Sequence, residues 1–512
     1  MTRILFVNPS YCNSYGGSIG AIINPIFPIL SMASLTAVAR KDGHETRLLD
    51  MSWDKYSVSR IEDEVRGFKP DVVAFTVLSP TMNQVKDMSY AVKQISSEIL
   101  CIAGGSHVSA LPRESLLESD LDAIVCGEGE LTFAEIIAGR KHHNIRGLAF
   151  KNGDQIVMNE RRPAIEDLDT LPMPAWDIFD LPLYAKHTSR LFAKKTPFVS
   201  AEFSRGCVYK CDFCASKLTM SLGYRKKSPE RCAEEVRYMA KLGIREFMLA
   251  DDIFTSDVKW ATQVAEALIR DNNKVAWSCT NGIRVESSSF ELFSKMKKAG
   301  CYRVAFGFES GNDEVLKKFG KGGKASLEKG IIAVKDARKA KLETIGFFQV
   351  GLSSDNKDTI YETVSFAKKL PLDMMKFGVT IAFPGTKMFS DYKAMNLIKS
   401  YNWDQYHIYS GFHMFNHPIL TYEDIQKCIT HAYRETTILN PAFIIRRAYK
   451  SVISGDIFRD FYDFVRFVFF SYTKKEDEIR YGYQANWKIY DFKNQDFTPE
   501  TYASAFKQAS GS

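Results

Sequence analysis

Two long blocks of short apolar runs, each alternating with helical stretches, constrain the fold of this 512-residue chain most strongly. In the first block, apolar residues at helical spacing between Leu30 and Val38, followed by Gly43, predict a helix and its end. Four runs predict buried parallel strands at residues 4–8, 72–77, 99–103 and 123–126. This alternation predicts an α/β fold that begins with a doubly wound parallel sheet, which binds ligands at the carboxyl ends of its strands.

The second block resembles the first in pattern but has more strands. Six apolar runs lie at residues 198–203, 244–250, 275–279, 302–308, 345–350 and 375–381. Helical stretches such as 229–242 and 290–298 separate them. Six βα units predict a partial barrel, because a full barrel needs eight strands and two more are not found. Polar residues gather where the first four runs end, which is where parallel barrels hold their chemistry.

Three cysteines follow the first strand of this barrel with the spacing C-x3-C-x2-C: Cys207, Cys211 and Cys214. Three thiolates on one loop can hold three corners of a cubane iron–sulfur cluster. A structural cluster takes a fourth cysteine and structural zinc takes a fourth Cys or His, and neither follows here. A small molecule would then complete the coordination of the fourth iron. Taken alone, the residues leave open a zinc loop or three unconnected thiols.

The stretch from Ser204 to Cys214 resembles the signature of the radical S-adenosylmethionine (radical SAM) superfamily. The resemblance implies a 4Fe-4S cluster whose open iron is chelated by the amino and carboxylate groups of S-adenosylmethionine. One electron, from an external donor of the flavodoxin or ferredoxin type, then cleaves the sulfonium and yields a 5′-deoxyadenosyl radical. Phe213 resembles the hydrophobic residue whose backbone meets adenine in that family.

The same resemblance predicts the S-adenosylmethionine site. Asp251 or Asp252, after the second barrel strand, is expected to bind the ammonium group. Glu309 resembles the acid that contacts the ribose, and Arg284 is expected to neutralise the carboxylate. A helix N-cap remains an alternative for Asp251, and an ion pair with Arg303 remains one for Glu309. The predicted site residues are Phe213, Asp251, Asp252, Asn281, Arg284, Glu309 and Ser310.

Segments 104–112 and 122–133 resemble cobalamin-binding domains that are fused to radical SAM domains. The first loop, residues 8–13, lacks the Asp-x-His-x-x-Gly motif whose histidine ligates cobalt. Cobalamin is therefore expected without a histidine on cobalt, with Tyr11 and Asn13 nearest and His107 capping a turn. A domain of this fold without cobalamin remains an alternative. The predicted cobalamin-binding residues are Asn8, Tyr11, Ser79, Thr81, Gly104, Gly105, Gly127 and Glu128.

These patterns divide the chain into four parts. Residues 1–145 are expected to form the cobalamin-binding domain, 146–195 a linker, 196–400 the partial barrel and 401–512 a mostly helical, aromatic-rich C-terminal cap. The acidic, proline-containing stretch 165–177 is typical of a connector. The aromatic tail is expected to pack over the barrel mouth, with peripheral membrane contact as the alternative.

Composition and charge limit the partners and the cellular location that are expected for this chain. The net charge of +7 is modest for this length and requires neither an anionic partner nor a membrane. The first residues are expected to form a strand and not a signal peptide, and apolar runs are too short to span a membrane. Ten cysteines without a secretion signal favour a reducing, cytoplasmic location.

Together the resemblances imply a cobalamin-dependent radical SAM enzyme of the class B methyltransferase-like family. The expected reaction is C-methylation of an unactivated carbon in a small-molecule or lipid-like substrate, and no residue is predicted as a catalytic acid or base. Alternatives are a cyclase or rearrangement enzyme without methyl transfer and a non-catalytic cobalamin or iron–sulfur sensor. A nucleic-acid partner is not expected, because transfer RNA methylthiotransferases usually carry additional cluster cysteines and a basic RNA module.

Overall fold

The computed structural model describes residues 1–12, 26–188, 193–220, 223–318, 327–407, 414–454, 458, 462, 479–488 and 490–492. Asn13, predicted to lie near cobalt, is outside these residues.

The first sheet has seven strands in the order β2-β1-β3-β4-β5-β6-β7, and its first five strands are parallel. The strands are β1 (Arg3–Asn8), β2 (Glu45–Asp50), β3 (Val72–Thr76), β4 (Leu100–Gly104), β5 (Ala123–Val125), β6 (Leu148–Asn152) and β7 (Gln155–Met158). The helices are α1 (Leu30–Lys41), α2 (Val58–Phe68), α3 (Met82–Ile95), α4 (Ser106–Ala110), α5 (Pro112–Glu118) and α6 (Glu130–Ile137). The predicted doubly wound sheet is confirmed.

Three strands of this sheet were not predicted. β2 lies at an edge, and its sequence ETRLLD is exposed or half-buried except at Leu49, so it has no long apolar run. β6 and β7 form an antiparallel hairpin that closes the opposite edge. This hairpin comes from segment 146–195, the predicted linker, which continues into the short helix α7 (Leu181–His187).

The second sheet is the predicted six-stranded partial barrel. Its strands are all parallel, in the order β15-β14-β13-β12-β11-β8. They are β8 (Phe198–Ala201), β11 (Glu246–Leu249), β12 (Ala276–Ile283), β13 (Cys301–Glu309), β14 (Glu343–Val350) and β15 (Met374–Val379). A separate ribbon pairs β9 (Ser204–Arg205) with β10 (Arg225–Lys226). The helices are α8 (Ser216–Met220), α9 (Pro229–Lys241), α10 (Val258–Asp271), α11 (Phe290–Lys298), α12 (Asp313–Lys318), α13 (Leu327–Lys339), α14 (Lys357–Lys369) and α15 (Lys387–Ala394).

Side chains along the barrel strands alternate between two faces, as the pleat requires. The outer face is apolar and packs on the helices: the rings of Phe308, Phe348 and Phe377 form a row with centroids 5.4 and 5.0 Å apart. Phe308 also meets Phe366 of α14. The other face is concave and lines the inside of the barrel.

The C-terminal part contacts both sheets. Helix α16 (Tyr422–Tyr433) packs outside the barrel, where the Tyr433 hydroxyl contacts the backbone of Phe377, and helix α17 (Pro441–Ser454) follows. Residues 479–488 return to the first domain, where the backbone N–H groups of Gly482 and Tyr483 donate to Asp87. No helix among the described residues is long and apolar enough to span a bilayer.

Candidate functional site

The three-cysteine loop leaves the barrel directly after β8 and β9. Cys207, Cys211 and Cys214 are all half-buried, so their sulfurs are neither sealed in the core nor fully exposed. Gly206 begins the loop with φ +84°, and a Cβ there would lie 1.9 Å from the carbonyl oxygen of Gly223. A residue with a side chain would therefore displace the loop at its base.

The loop presents a donor set that suits a cluster. Burial is the main cause that raises the pKa of the Cys207 thiol, and iron binding would favour the thiolate. Among the described residues, no three His, Cys, Asp or Glu side chains converge on a single metal ion. The thiolates of a cubane cluster each bind a different iron, so they stand farther apart than ligands of one ion.

Asp251 and Asp252 follow β11 and reach the start of this loop. Asp251 is 2% exposed and accepts hydrogen bonds from the Phe203 N–H (2.8 Å) and the Ser204 hydroxyl (2.5 Å). Asp252 accepts from the backbone of Gly206, but its Oδ2 atom is buried without a hydrogen-bond partner. Burial raises the pKa of Asp251 to about 7 and that of Asp252 to about 6. The unpaired oxygen makes Asp252 the better candidate for an ammonium ligand.

Arg284, expected to neutralise the cofactor's carboxylate, lies beside the cysteine loop. Its guanidinium carbon is 3.6 Å from the centre of the Tyr209 ring, and its Nε lies 3.2 Å from Glu286. Asn281 is exposed. It was expected just after a strand, whereas β12 continues to Ile283 with a register shift against β13 in this region. The sequence did not reveal this because Thr280, Asn281 and Gly282 interrupt the apolar run before Ile283.

The two predicted residues at the end of β13 differ in placement. Glu309 is half-buried in the left-handed region (φ +62°). The suggested ion pair with Arg303 is not supported, because Arg303 binds Glu343 at 2.9 Å and lies six residues earlier on the strand, about 20 Å away. Ser310 is 1% exposed, and its hydroxyl lies 3.2 Å from that of Thr363. Phe213, which is half-buried, packs against apolar residues on both sides of the loop.

A cavity of about 500 Å³ lies between the carboxyl ends of the first sheet and the barrel. The barrel side includes Ser200, Glu202, Arg205 and Ala250. From the first domain, five of the eight residues predicted to bind cobalamin line it: Tyr11, Gly104, Gly105, Gly127 and Glu128. Apolar residues that the sequence did not single out complete it, among them Leu30, Leu78, Val125 and Phe133.

The other three predicted cobalamin residues turn away from this cavity. Asn8 is fully buried and donates to Asp50 (2.9 Å) and Ser52 (2.6 Å). Thr81 is also fully buried and bonds the backbone of its own turn. Ser79 lies 3.1 Å from Nδ1 of His107. These side chains hold the loops that surround the cavity.

His107 is placed as a structural residue. It is 2% exposed, contacts Ser79 and has its ring 4.7 Å from that of Trp403. It is absent from the cavity lining, although its neighbours Gly105 and Ser106 belong to it. Burial lowers its pKa to about 3, so the ring is neutral. This placement supports the expectation that no histidine ligates cobalt, which stays a prediction.

A buried ionic network, the domain clamp, joins the two domains at the cavity rim. Arg205, two residues before Cys207, donates to Glu128 (3.1 Å) and Glu130 (2.6 Å) of the first domain and also to Glu202. Arg225, paired with Arg205 across the ribbon, lies 2.6 Å from Glu128. Each of these side chains is at most 8% exposed. The Glu128 carboxylate, predicted to meet cobalamin, is therefore engaged by two arginines.

Comparisons with known proteins agree with this two-domain arrangement. The B12 binding domain model matches residues 19–137, and the Radical SAM superfamily model matches residues 201–367. The chain is a cobalamin-binding radical SAM enzyme. The radical SAM match contains the cysteine loop, and the B12 match contains the glycine loops of the cavity.

This cobalamin-binding radical SAM enzyme has named relatives of more than one activity. It is 29% identical over 452 residues to an uncharacterized methyltransferase of Pyrococcus horikoshii, covering 85% of this chain and 95% of the relative. It is 24% identical over 511 residues to an anaerobic magnesium-protoporphyrin IX monomethyl ester cyclase of Cereibacter sphaeroides, covering 95% and 80%.

The radical SAM methyltransferase TsrM from Kitasatospora setae, with cobalamin and a [4Fe-4S] cluster bound, has a similar fold. The TM-score is 0.63 at 18% identity, and the match covers 77% of this chain and 78% of that one.

The domains imply three cofactors, a 4Fe-4S cluster, S-adenosylmethionine and cobalamin, and the residues fit them. Three half-buried thiols supply the cluster ligands, and the unpaired oxygen of Asp252 lies at the same loop. Backbone at Gly105 faces the cavity, and a Cβ there would lie 2.5 Å from the Val77 carbonyl oxygen. Only glycine lets this turn pass so close to β3.

Proposed function

We propose that this enzyme methylates an unactivated carbon of a small-molecule or lipid-like substrate. The observation that carries the proposal is the cavity, which has glycine loops of the B12 domain on one side and the carboxyl end of the barrel on the other. When bound, the cluster supplies the electron that splits S-adenosylmethionine and cobalamin carries the methyl group. The protein orients these groups and excludes water.

The roles of the chain's own residues follow from their positions. Cys207, Cys211 and Cys214 hold the cluster, and Asp252 accepts hydrogen bonds from the ammonium group of S-adenosylmethionine. Arg284, which stacks on Tyr209 of the same loop, would neutralise the cofactor's carboxylate. Asp251 orients the loop and does not touch the cofactor, since both of its oxygens bind the backbone or side chain of residues 203 and 204.

The lining of the cavity would help to exclude water from the space between the domains. Leu30, Leu78, Val125 and Phe133 give the cavity apolar walls, and the paired charges of the domain clamp lie at one side. A radical would otherwise be quenched by side reactions, so a dry space suits the proposed chemistry. An external one-electron donor of the flavodoxin or ferredoxin type completes the proposal.

A cyclase without methyl transfer is the second candidate, favoured by the relative from Cereibacter sphaeroides that aligns with 95% of the chain. Anaerobic reconstitution with iron, sulfide, cobalamin, S-adenosylmethionine and reductant separates the two. Methyl transfer predicts both 5′-deoxyadenosine and S-adenosylhomocysteine as products. 5′-Deoxyadenosine alone would contradict methyl transfer and favour the cyclase, and neither product would contradict both.

A further inference from the structure

The concave face of the barrel carries a lysine that the cofactor roles do not use. Phe377 and Met375 belong to the apolar core outside the barrel, so the alternating residues of β15 face inward, Lys376 among them. On β14, Phe348 and Val350 belong to the same core, which turns Phe347 and Gln349 inward.

Register places these inward residues next to one another. Phe347 pairs with Lys376, and Gln349 pairs with Gly378. The Gln349 amide oxygen lies 3.6 Å from the position that a Cβ of Gly378 would take. Lys376, Phe347 and Gln349 therefore form one patch on the concave face, here called the lumen patch.

The lumen patch is accessible and polar groups in it are unpaired. All three side chains are half-buried, whereas Phe348 and Val350 on the outer face are 1% and 0% exposed. Within the described part of the chain, neither the Lys376 ammonium nor the Gln349 amide makes a hydrogen bond or ion pair. A cation that is largely removed from water without an anion is costly, so this arrangement favours an anionic ligand.

Lys376 lies on a different strand from the residues assigned to S-adenosylmethionine. The cysteine loop follows β8, and Asp252 and Arg284 reach it from β11 and β12, whereas Lys376 lies on β15. The loop also contacts the segment after β15, where the Asp212 carbonyl accepts from the Met388 N–H (3.0 Å). The test below therefore includes S-adenosylmethionine as a competing occupant of the patch.

We propose that Lys376 and Gln349 bind an anionic group, a carboxylate or a phosphate, of the enzyme's substrate, with Phe347 contacting an apolar part next to it. The inference rests on the proposed function and specifies its substrate class. Burial alone lowers the pKa of Lys376, which agrees with the absence of an anionic partner nearby. An ammonium and an amide together supply the donors that a planar or tetrahedral oxyanion requires.

Trace acetylation tests the patch without knowledge of the natural substrate. The reconstituted, full-length holoenzyme is treated with a small amount of acetic anhydride, and mass spectrometry compares the labelling rate of Lys376 with that of exposed Lys335. Benzoate and phenyl phosphate serve as anionic probes, and benzamide is the neutral control. Saturating benzoate or phenyl phosphate should slow the labelling of Lys376 at least fivefold. The labelling rate of Lys335 should not change, and benzamide should change neither rate.

Variants and cofactor additions complete the test. Isothermal titration calorimetry measures anion binding in the variants, because two of them lack the labelled lysine. Lys376→Met should abolish saturable binding of phenyl phosphate and Lys376→Arg should retain it, while Gln349→Leu should weaken it severalfold. Equal protection by benzamide, or no protection by either anion, would overturn the subsite. Protection by S-adenosylmethionine alone would also overturn it, because the anion would then be the cofactor's carboxylate. 5′-Deoxyadenosine is measured in parallel. Absence of this product would contradict the proposed function and would say nothing about anion binding at the lumen patch, so the two failures are distinguishable.

Discussion

Asp251 and Asp252 are neighbours in sequence, yet their carboxylates have different surroundings. Asp251 is satisfied by the protein, with hydrogen bonds from Phe203 and Ser204, whereas Asp252 retains a buried oxygen without a partner. A buried polar atom without a partner is uncommon in a native protein, which supports the proposal that Asp252 meets a cationic ligand group. The proposal gives Asp251 to the loop and Asp252 to the cofactor.

Asp252→Asn should weaken S-adenosylmethionine binding by about 1–3 kcal/mol, the range for losing a hydrogen bond to a charged group. Iron content should be unchanged, because Asp252 is not a cluster ligand. Asp251→Asn is the matched comparison and should lower thermal stability more than it lowers affinity. Equilibrium dialysis on the reconstituted protein measures the affinity and thermal unfolding measures the stability. The reverse ranking would contradict the roles given to the two acids.

Cys211→Ala should reduce iron from about four per chain to almost none and abolish S-adenosylmethionine cleavage. The physical reason is that two thiolates cannot hold a cubane with an open iron. Cys428→Ala, at a buried cysteine on helix α16, is the control and should keep the cluster. Iron assay and product analysis give the readouts; cleavage in the Cys211 variant would exclude this loop as the cluster site.

At the scale of elements, the strands of the first sheet that are buried on both faces were predictable, whereas β2 at one edge and the β6–β7 hairpin at the other were not. β1, β3 and β4 contain continuous apolar runs, because helices cover both sides of them. β2 has one apolar face at most and its alternating charges resemble a loop. The ends of strands were also uncertain, and β12 continues through polar residues that the sequence alone could not assign.

The candidate site was predictable where a single loop carries it and less so where side chains from distant segments meet. The cysteine loop and the glycine loops lie as expected. Ser79 and Thr81 lie in the expected loop, but hydrogen bonding directs them inward. The partnership of Glu128 with Arg205 and Arg225 joins positions 77 and 97 residues apart, and no local pattern reveals such a pair.

Glu128→Gln tests the domain clamp. It would leave the buried Arg225 guanidinium without a carboxylate partner, whereas Arg205 keeps Glu130 and Glu202, and breaking a buried pair costs about 3–5 kcal/mol. We expect a lower unfolding temperature and weaker cobalamin binding, because the clamp holds the two domains together at the rim of the cavity. Glu423→Gln, which removes an exposed pair with Lys427, should change neither quantity. Unchanged stability in the Glu128 variant would contradict a structural role for the clamp.

The turn that holds His107 should make the first domain sensitive to acid. Its folded pKa, about 3, is depressed below the usual 6.5, so the native state favours the neutral ring. The contribution of this ring to the free energy of unfolding is complete above pH 6.5 and is lost as the pH falls toward 3. At pH 5 the loss is about 2 kcal/mol.

His107→Asn should remove this part of the pH dependence. Urea unfolding of the protein without cofactors at pH 7 and pH 5 measures it as the difference between variant and parent. His143→Asn, at an exposed histidine, is the control. An identical pH dependence in the parent and the His107 variant would show that this ring is not buried in solution.

At the scale of the whole molecule, the two sheets form one site, because the carboxyl ends of both line the same cavity. The first sheet contributes the glycine loops and the barrel contributes Ser200, Glu202 and Ala250. The C-terminal segment returns to the first domain through Gly482 and Tyr483 and so ties the end of the chain to its beginning. This arrangement would hold cobalamin between the glycine loops of the first domain and the carboxyl end of the barrel.

The most direct test of this account is electron paramagnetic resonance of cobalamin in its cobalt(II) state bound to the anaerobically reconstituted, full-length protein. The account predicts one cobalamin per chain and a spectrum without nitrogen superhyperfine splitting, because His107 is buried against Ser79 and Trp403 outside the cavity lining. Nitrogen splitting that disappears in His107→Ala would contradict this placement. Absence of bound cobalamin would contradict the account as a whole.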